Sequence, residues 1–219
     1  MSRPQPIEFF IMSPSLRKFA LTSHVTSSIG WLGAALAFLG IAVIGLTSED
    51  AQTVRGAYLV MEPAAWLVLV PLAFASLLTG LVMSLGTAWG LFQHYWILFK
   101  LLITVFSTAV LLIYMATFKG MAALAANPGA DLSSVRNVSP ALHAVLATLL
   151  LITATVLAVY KPQGVTPYGR RWQGEQMMGA TGVEATARER SLYVMAIVAL
   201  VIAVMIVIRH LASGDFGHH

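Results

Sequence analysis

The stretch that most limits what this chain can become is Phe19–Leu46, FALTSHVTSSIGWLGAALAFLGIAVIGL, which contains no Asp, Glu, Lys or Arg. At about 1.5 Å per helical residue it is long enough to cross the ~30 Å hydrocarbon core of a bilayer with some tilt. One group inside it is costly there. His24 lies about a turn and a half into the run, and Trp31 follows seven residues later on the same helix face. Ser27, Ser28, Ala34 and Ala35 complete a small, polar stripe. A helix facing only lipid has no use for such a stripe, whereas one facing partner helices or a flat cofactor does.

Composition makes the same point for the whole chain. Of the 219 residues, 58% are hydrophobic and only 10% charged, where a soluble domain carries about 25% charge. The mean hydropathy is +0.81. These values describe an integral membrane protein in contact with the lipid bilayer. The pI of about 9.6 does not point to nucleic acid, because the charges sit in short inter-helix segments and read as topology signals. The chain has no cysteine, which excludes disulfides and thiolate sites. A leader over residues 1–18 holds Pro4, Pro6 and Pro14, and its first part is not expected to be regular helix. It does not resemble a cleaved signal peptide. His218 and His219 are set aside as a tag remnant. No nucleotide loop, serine elbow or zinc-protease motif is present, and no internal repeat or second domain is evident.

The fold expected is all-α: a bundle of five transmembrane helices over about 19–46, 62–86, 92–118, 139–160 and 191–210, followed by a tail over 211–219. Glu62-Pro63 reads as the start of the second span, since Pro fits a first helical turn, and Pro71 should kink it. Ser76, Gly80 and Ser84 form a small-residue ridge suited to close helix packing. The fifth span is apolar on every side and reads as a peripheral helix. Orientation follows the Lys/Arg bias. With the N-terminus inside and the C-terminus outside, nine basic residues (Arg3, Arg17, Lys18, Lys100, Lys161, Arg170, Arg171, Arg188 and Arg190) lie on the inner side. Four (Arg55, Lys119, Arg136 and Arg209) lie outside. A bacterial cytoplasmic membrane is the implied location.

Depth sorts the histidines. His24 on the first span and His94 on the third fall within roughly one turn of each other near the inner surface. Two imidazoles from facing helices at matched depth are what haem b requires, one ring nitrogen on each side of the iron. Gly30, Gly33, Ala34 and Ala35 would leave room for a macrocycle, and Trp31 would stack on it or bond a propionate. Each residue also has a plainer reading, in which the histidines anchor helices and Trp31 packs. Lys100 lies deep in the third span, where a cation costs about 2.5 kcal/mol or more. It either snorkels to the surface or faces the bundle and meets an anionic group, and Thr104, Ser107 and Thr108 continue its polar face. Glu62, His143 and His210 share the outer level as a weak metal trio.

The run HVTSSIGWLG resembles the first-helix pattern of the copper-resistance D family and of membrane-embedded, haem-dependent protoporphyrinogen oxidases. HYWILFKLL is similar to a later helix of the latter group. Closer still, LRKFALTSHVTSSIGWLG, GLFQHYWILFK and YKPQGVTPYGRRWQ resemble segments of a family of predicted integral membrane proteins of actinobacterial type, across most of residues 15–175. That last resemblance implies no activity. The oxidase resemblance implies His24 as haem ligand or catalytic base and Lys100 as its partner in one pocket. This chain lacks an Arg after Trp31 in span one and a histidine in span two. The expectation is a haem-b redox or electron-transfer bundle using His24, His94, Trp31 and Lys100, with a quinone or other redox partner. The alternative is a cofactor-free transporter, or a scaffold acting as a homo-oligomer or as a subunit of a larger membrane complex. Whether the chain is an enzyme is left open by the residues.

Overall fold

A computed structural model describes residues 13–85, 92–167, 169 and 170. Within them the protein is all-helical, and four helical stretches are long and apolar enough to cross a membrane: Pro14–Thr47, Ala51–Leu85, Tyr95–Ala126 and Leu132–Tyr160. The fifth span expected at 191–210 lies outside the described residues.

Helix α1 (Pro14–Thr47) starts with Ser13 accepting from the Leu16 amide and with Pro at the first helical position, where its missing N–H costs nothing. Its buried residues run His24, Ser27, Trp31, Ala35, Phe38, Ala42, the three-and-four spacing of one helical face. That stripe packs on the rest of the bundle.

Helix α2 (Ala51–Ala64) begins at Ala51, eleven residues before the start expected at Glu62. Asp50 is its N-cap, taking hydrogen bonds from the Thr53 amide at 2.8 Å and the Thr53 hydroxyl at 2.6 Å. These bonds hold the exposed Asp50 carboxyl below its ordinary range. Pro63 therefore sits inside a continuing helix rather than at its beginning. The chain absorbs it through a π-helical turn, Ala65–Leu69, and continues as α3 (Val70–Leu85). Two prolines eight residues apart, Pro63 and Pro71, each remove a backbone donor, and the widened turn lies between them.

Helix α4 (Tyr95–Ala126) extends eight residues beyond the end expected from sequence. A short α5 (Leu132–Val135) leads to α6 (Ser139–Tyr160), whose bounds are those the sequence predicts. Lys161 closes α6 in the left-handed conformation at φ 43°, and Pro162 follows, unable to continue it.

The main core joins Trp31, Phe38, Tyr58, Met61, Leu69, Tyr114, Phe118 and Leu151. Two arginines fasten the end of the bundle that carries the 48–50 and 127–138 connections. Arg55 donates to the carbonyls of Ala125, Asn127 and Ala130, and Arg136 to those of Leu46 and Ser48. Both guanidiniums thus satisfy carbonyls that helix C-termini leave without partners. At the opposite end, residues 164–167 fold back on the start of α4. The Tyr95 amide donates to the Gly164 carbonyl at 3.2 Å, the Thr166 amide to the Gln93 carbonyl at 2.9 Å, and the Thr166 hydroxyl to the Phe92 carbonyl at 2.5 Å.

Candidate functional site

His24 reaches from α1 toward α3 and α4, and its ring is held on three sides. Nδ1 lies 3.1 Å from the Ser76 carbonyl and 3.1 Å from the Thr79 hydroxyl. Nε2 lies 2.8 Å from Nζ of Lys100. The third side is Gly80, where an added Cβ would come within 3.1 Å of the ring's Cε1. Ser76 and Gly80 of the small-residue ridge lie against the imidazole. Ser76 also meets Ser28, their hydroxyls 2.7 Å apart, so α1 and α3 are joined by polar contacts as well as by packing.

These contacts fix the tautomer. The Ser76 carbonyl only accepts, and the Thr79 hydroxyl is already donating to the Ala75 carbonyl at 2.5 Å. Nδ1 must therefore carry the ring proton of a neutral imidazole, which leaves Nε2 as an acceptor for an N–H of Lys100. Lys100 has three donor sites when protonated, and the imidazole takes one. The described acids, Glu49, Asp50, Glu62 and Asp131, are far from this end. The first two and Asp131 stand at the opposite end of the bundle, and Glu62 on α2 is seventeen residues from Thr79, about 25 Å along the helix axis. Among the described residues, no carboxylate pairs with Lys100. Thr104 stacks above it, its hydroxyl donating to the Lys100 carbonyl at 2.9 Å.

His94 is placed differently. It is the N-cap residue of α4, in extended conformation, and forms an isolated antiparallel bridge with Val165. It stands six residues before Lys100, about 9 Å along the helix. The side chain that meets His24 is thus Lys100, a turn and a half farther into the bundle. Trp31 shares the buried stripe with His24 and is 3% exposed, but it lies about 10 Å deeper and belongs to the aromatic core.

Haem needs an open imidazole nitrogen facing the iron. Nδ1 is turned to the Ser76 carbonyl, as in an imidazole that ligates a metal, and Nε2, the nitrogen an iron would take, is met by Lys100 Nζ. Among the described residues, no group of three His, Asp or Glu is placed to hold a metal ion. His143 stacks on Tyr114 at 4.1 Å between ring centroids, its Nδ1 2.9 Å from the Ser139 carbonyl. Glu62 is half-buried on α2, and His210 lies outside the described residues.

Sequence reasoning did not anticipate the part played by Ser76 and Thr79. The signal was there in the four-residue spacing of small residues, which marked α3 for close packing against a neighbouring helix. Compared with family models, curated proteins and solved structures, the chain matches none of them.

Proposed function

We propose that this is a multi-pass protein of the bacterial cytoplasmic membrane, a small transporter that binds a carboxylate-bearing ligand at the His24–Lys100 pair near its inner end. The observation that carries this reading is the 2.8 Å contact between Lys100 Nζ and His24 Nε2 in a place where no described carboxylate balances the cation. A charged amine within a membrane helix costs at least about 2.5 kcal/mol. One neutral imidazole satisfies only part of its hydrogen-bonding capacity. A ligand carboxylate would supply the missing charge and accept the remaining N–H groups, a charge-assisted arrangement roughly twice as strong as a neutral one. His24, locked by Ser76 and Thr79, then acts as a fixed acceptor able to take up or release the proton that accompanies the anion. The π-helical turn between Pro63 and Pro71 gives the span carrying Ser76 and Thr79 a place to bend.

The test is binding of radiolabelled acetate, benzoate and succinate to the purified protein in lipid nanodiscs. Lys100→Met should weaken the bound carboxylate at least tenfold while the protein elutes and melts as before. A panel with no Lys100-dependent binding contradicts the proposal. An absorption spectrum of the same preparation, oxidised and dithionite-reduced, tests haem. A Soret band lost in His24→Ala would replace the carboxylate with haem b, with Lys100 leaving Nε2 to meet a propionate.

A further inference from the structure

Between α1, α4 and α6 lies a cavity of about 80 Å³, separate from the His24–Lys100 pair. Trp31, Phe38, Tyr114 and Phe118 make its inner wall. Their rings are fixed edge to face: Phe38 on Phe118 at 5.8 Å and 61°, and Tyr114 on Phe118 at 4.8 Å and 87°. Phe106, Val110, Leu146 and Leu150 also line it and are half-buried, so among the described residues the cavity opens between α4 and α6.

Two polar side chains on α4 and α6, Ser107 and His143, stand in this otherwise mostly apolar lining. Ser107 is 7% exposed, and its hydroxyl makes no hydrogen bond among the described residues. Its neighbours on α4 do otherwise: Thr104 donates to the Lys100 carbonyl and Thr108 to the Thr104 carbonyl at 2.8 Å. A hydroxyl kept at an apolar wall without a partner is costly. An acyl chain offers no acceptor at all.

We propose that this cavity binds the head of a one-ring, lipid-soluble molecule of the quinone class, entering from the bilayer between α4 and α6. Its ring lies against the Trp31–Tyr114–Phe118 wall, and one ring oxygen accepts from Ser107. Size sets the limit. A closed apolar cavity of roughly 150 Å³ takes benzene, so about 80 Å³ with one open side takes part of a single ring and leaves the tail in lipid. A porphyrin is far too large for it. A helix, about 10 Å across, is too wide to enter.

Trp31 in the wall provides the readout. With Trp66, Trp89, Trp96 and Trp172 replaced by Phe, the protein in nanodiscs is titrated with a decyl-substituted benzoquinone and Trp31 emission is followed. Saturable quenching is expected. Ser107→Ala should raise the half-saturating concentration about five- to tenfold, the size of one hydrogen bond. Ala147→Phe, which fills the cavity from α6, should abolish saturation while helix content and elution stay unchanged. Two outcomes overturn the proposal. One is quenching that rises linearly and is unaffected by Ala147→Phe, the behaviour of quinone merely dissolved in lipid. The other is saturable quenching that neither substitution alters. If Ala147→Phe fails to fold, Ser107→Ala alone decides, because a hydroxyl-to-hydrogen change leaves the packing intact.

Discussion

Gly169 shows how little room single positions have. A Cβ placed there would stand 2.5 Å from the Gln93 carbonyl oxygen and 2.7 Å from Cγ1 of Val165, and a backbone carbonyl cannot swing aside as a side-chain tip can. Gly169→Ala should therefore cost about 1–3 kcal/mol, read as a lower melting temperature and faster amide exchange at residues 92–95. Gly80 is the gentler case, because its neighbour is the His24 ring. The sequence shows both glycines but not what lies against them. His24 and Lys100 were legible as costly groups in apolar runs. Their meeting was implied by the oxidase resemblance but was not legible from depth, which set His24 against His94. The extended N-cap conformation of His94, and the backbone bridge it makes to Val165, are set by a segment seventy residues later.

At the scale of elements, the apolar runs marked the spans well where no proline interfered. Helix α6 begins at Ser139 and ends at Tyr160, as its pattern says. The span over α2 and α3 was misjudged because Pro63 reads as a first helical turn. The helix already runs from Ala51, on an Asp50 cap that is itself local, and continues past Pro63 through a π turn. Arg55 and Arg136, counted for orientation, have a second part as ties between helix ends and loops. Arg55→Met should leave three carbonyls without their charged donor and cost about 2 kcal/mol. Hydrogen exchange should then rise at residues 125–135 with the His24 end unchanged.

Among the described residues of the whole bundle, two polar groupings stand toward its two ends. His24, Lys100, Ser76 and Thr79 stand near one end. Toward the other, the Tyr58 hydroxyl donates to the Asn137 carbonyl at 3.1 Å, and the Tyr114 hydroxyl lies 2.8 Å from Oγ of Ser139. The aromatic core and the Ser107 cavity lie between. The proposed orientation puts the His24 end inside, and the absence of cysteine makes that directly checkable. A single cysteine at Ser48 should react with a membrane-impermeant maleimide in intact cells, and one at Gln163 only after permeabilisation. The proposed chemistry depends on one proton shared between two nitrogens. Solid-state ¹⁵N NMR of the protein in bilayers, with labelled His and Lys, reads that proton. A protonated Nδ1 and an unprotonated Nε2 at His24, with the Nε2 resonance shifting in Lys100→Met, is the expected result. An Nε2 that carries the ring proton, or whose resonance ignores the loss of Lys100, would contradict the account.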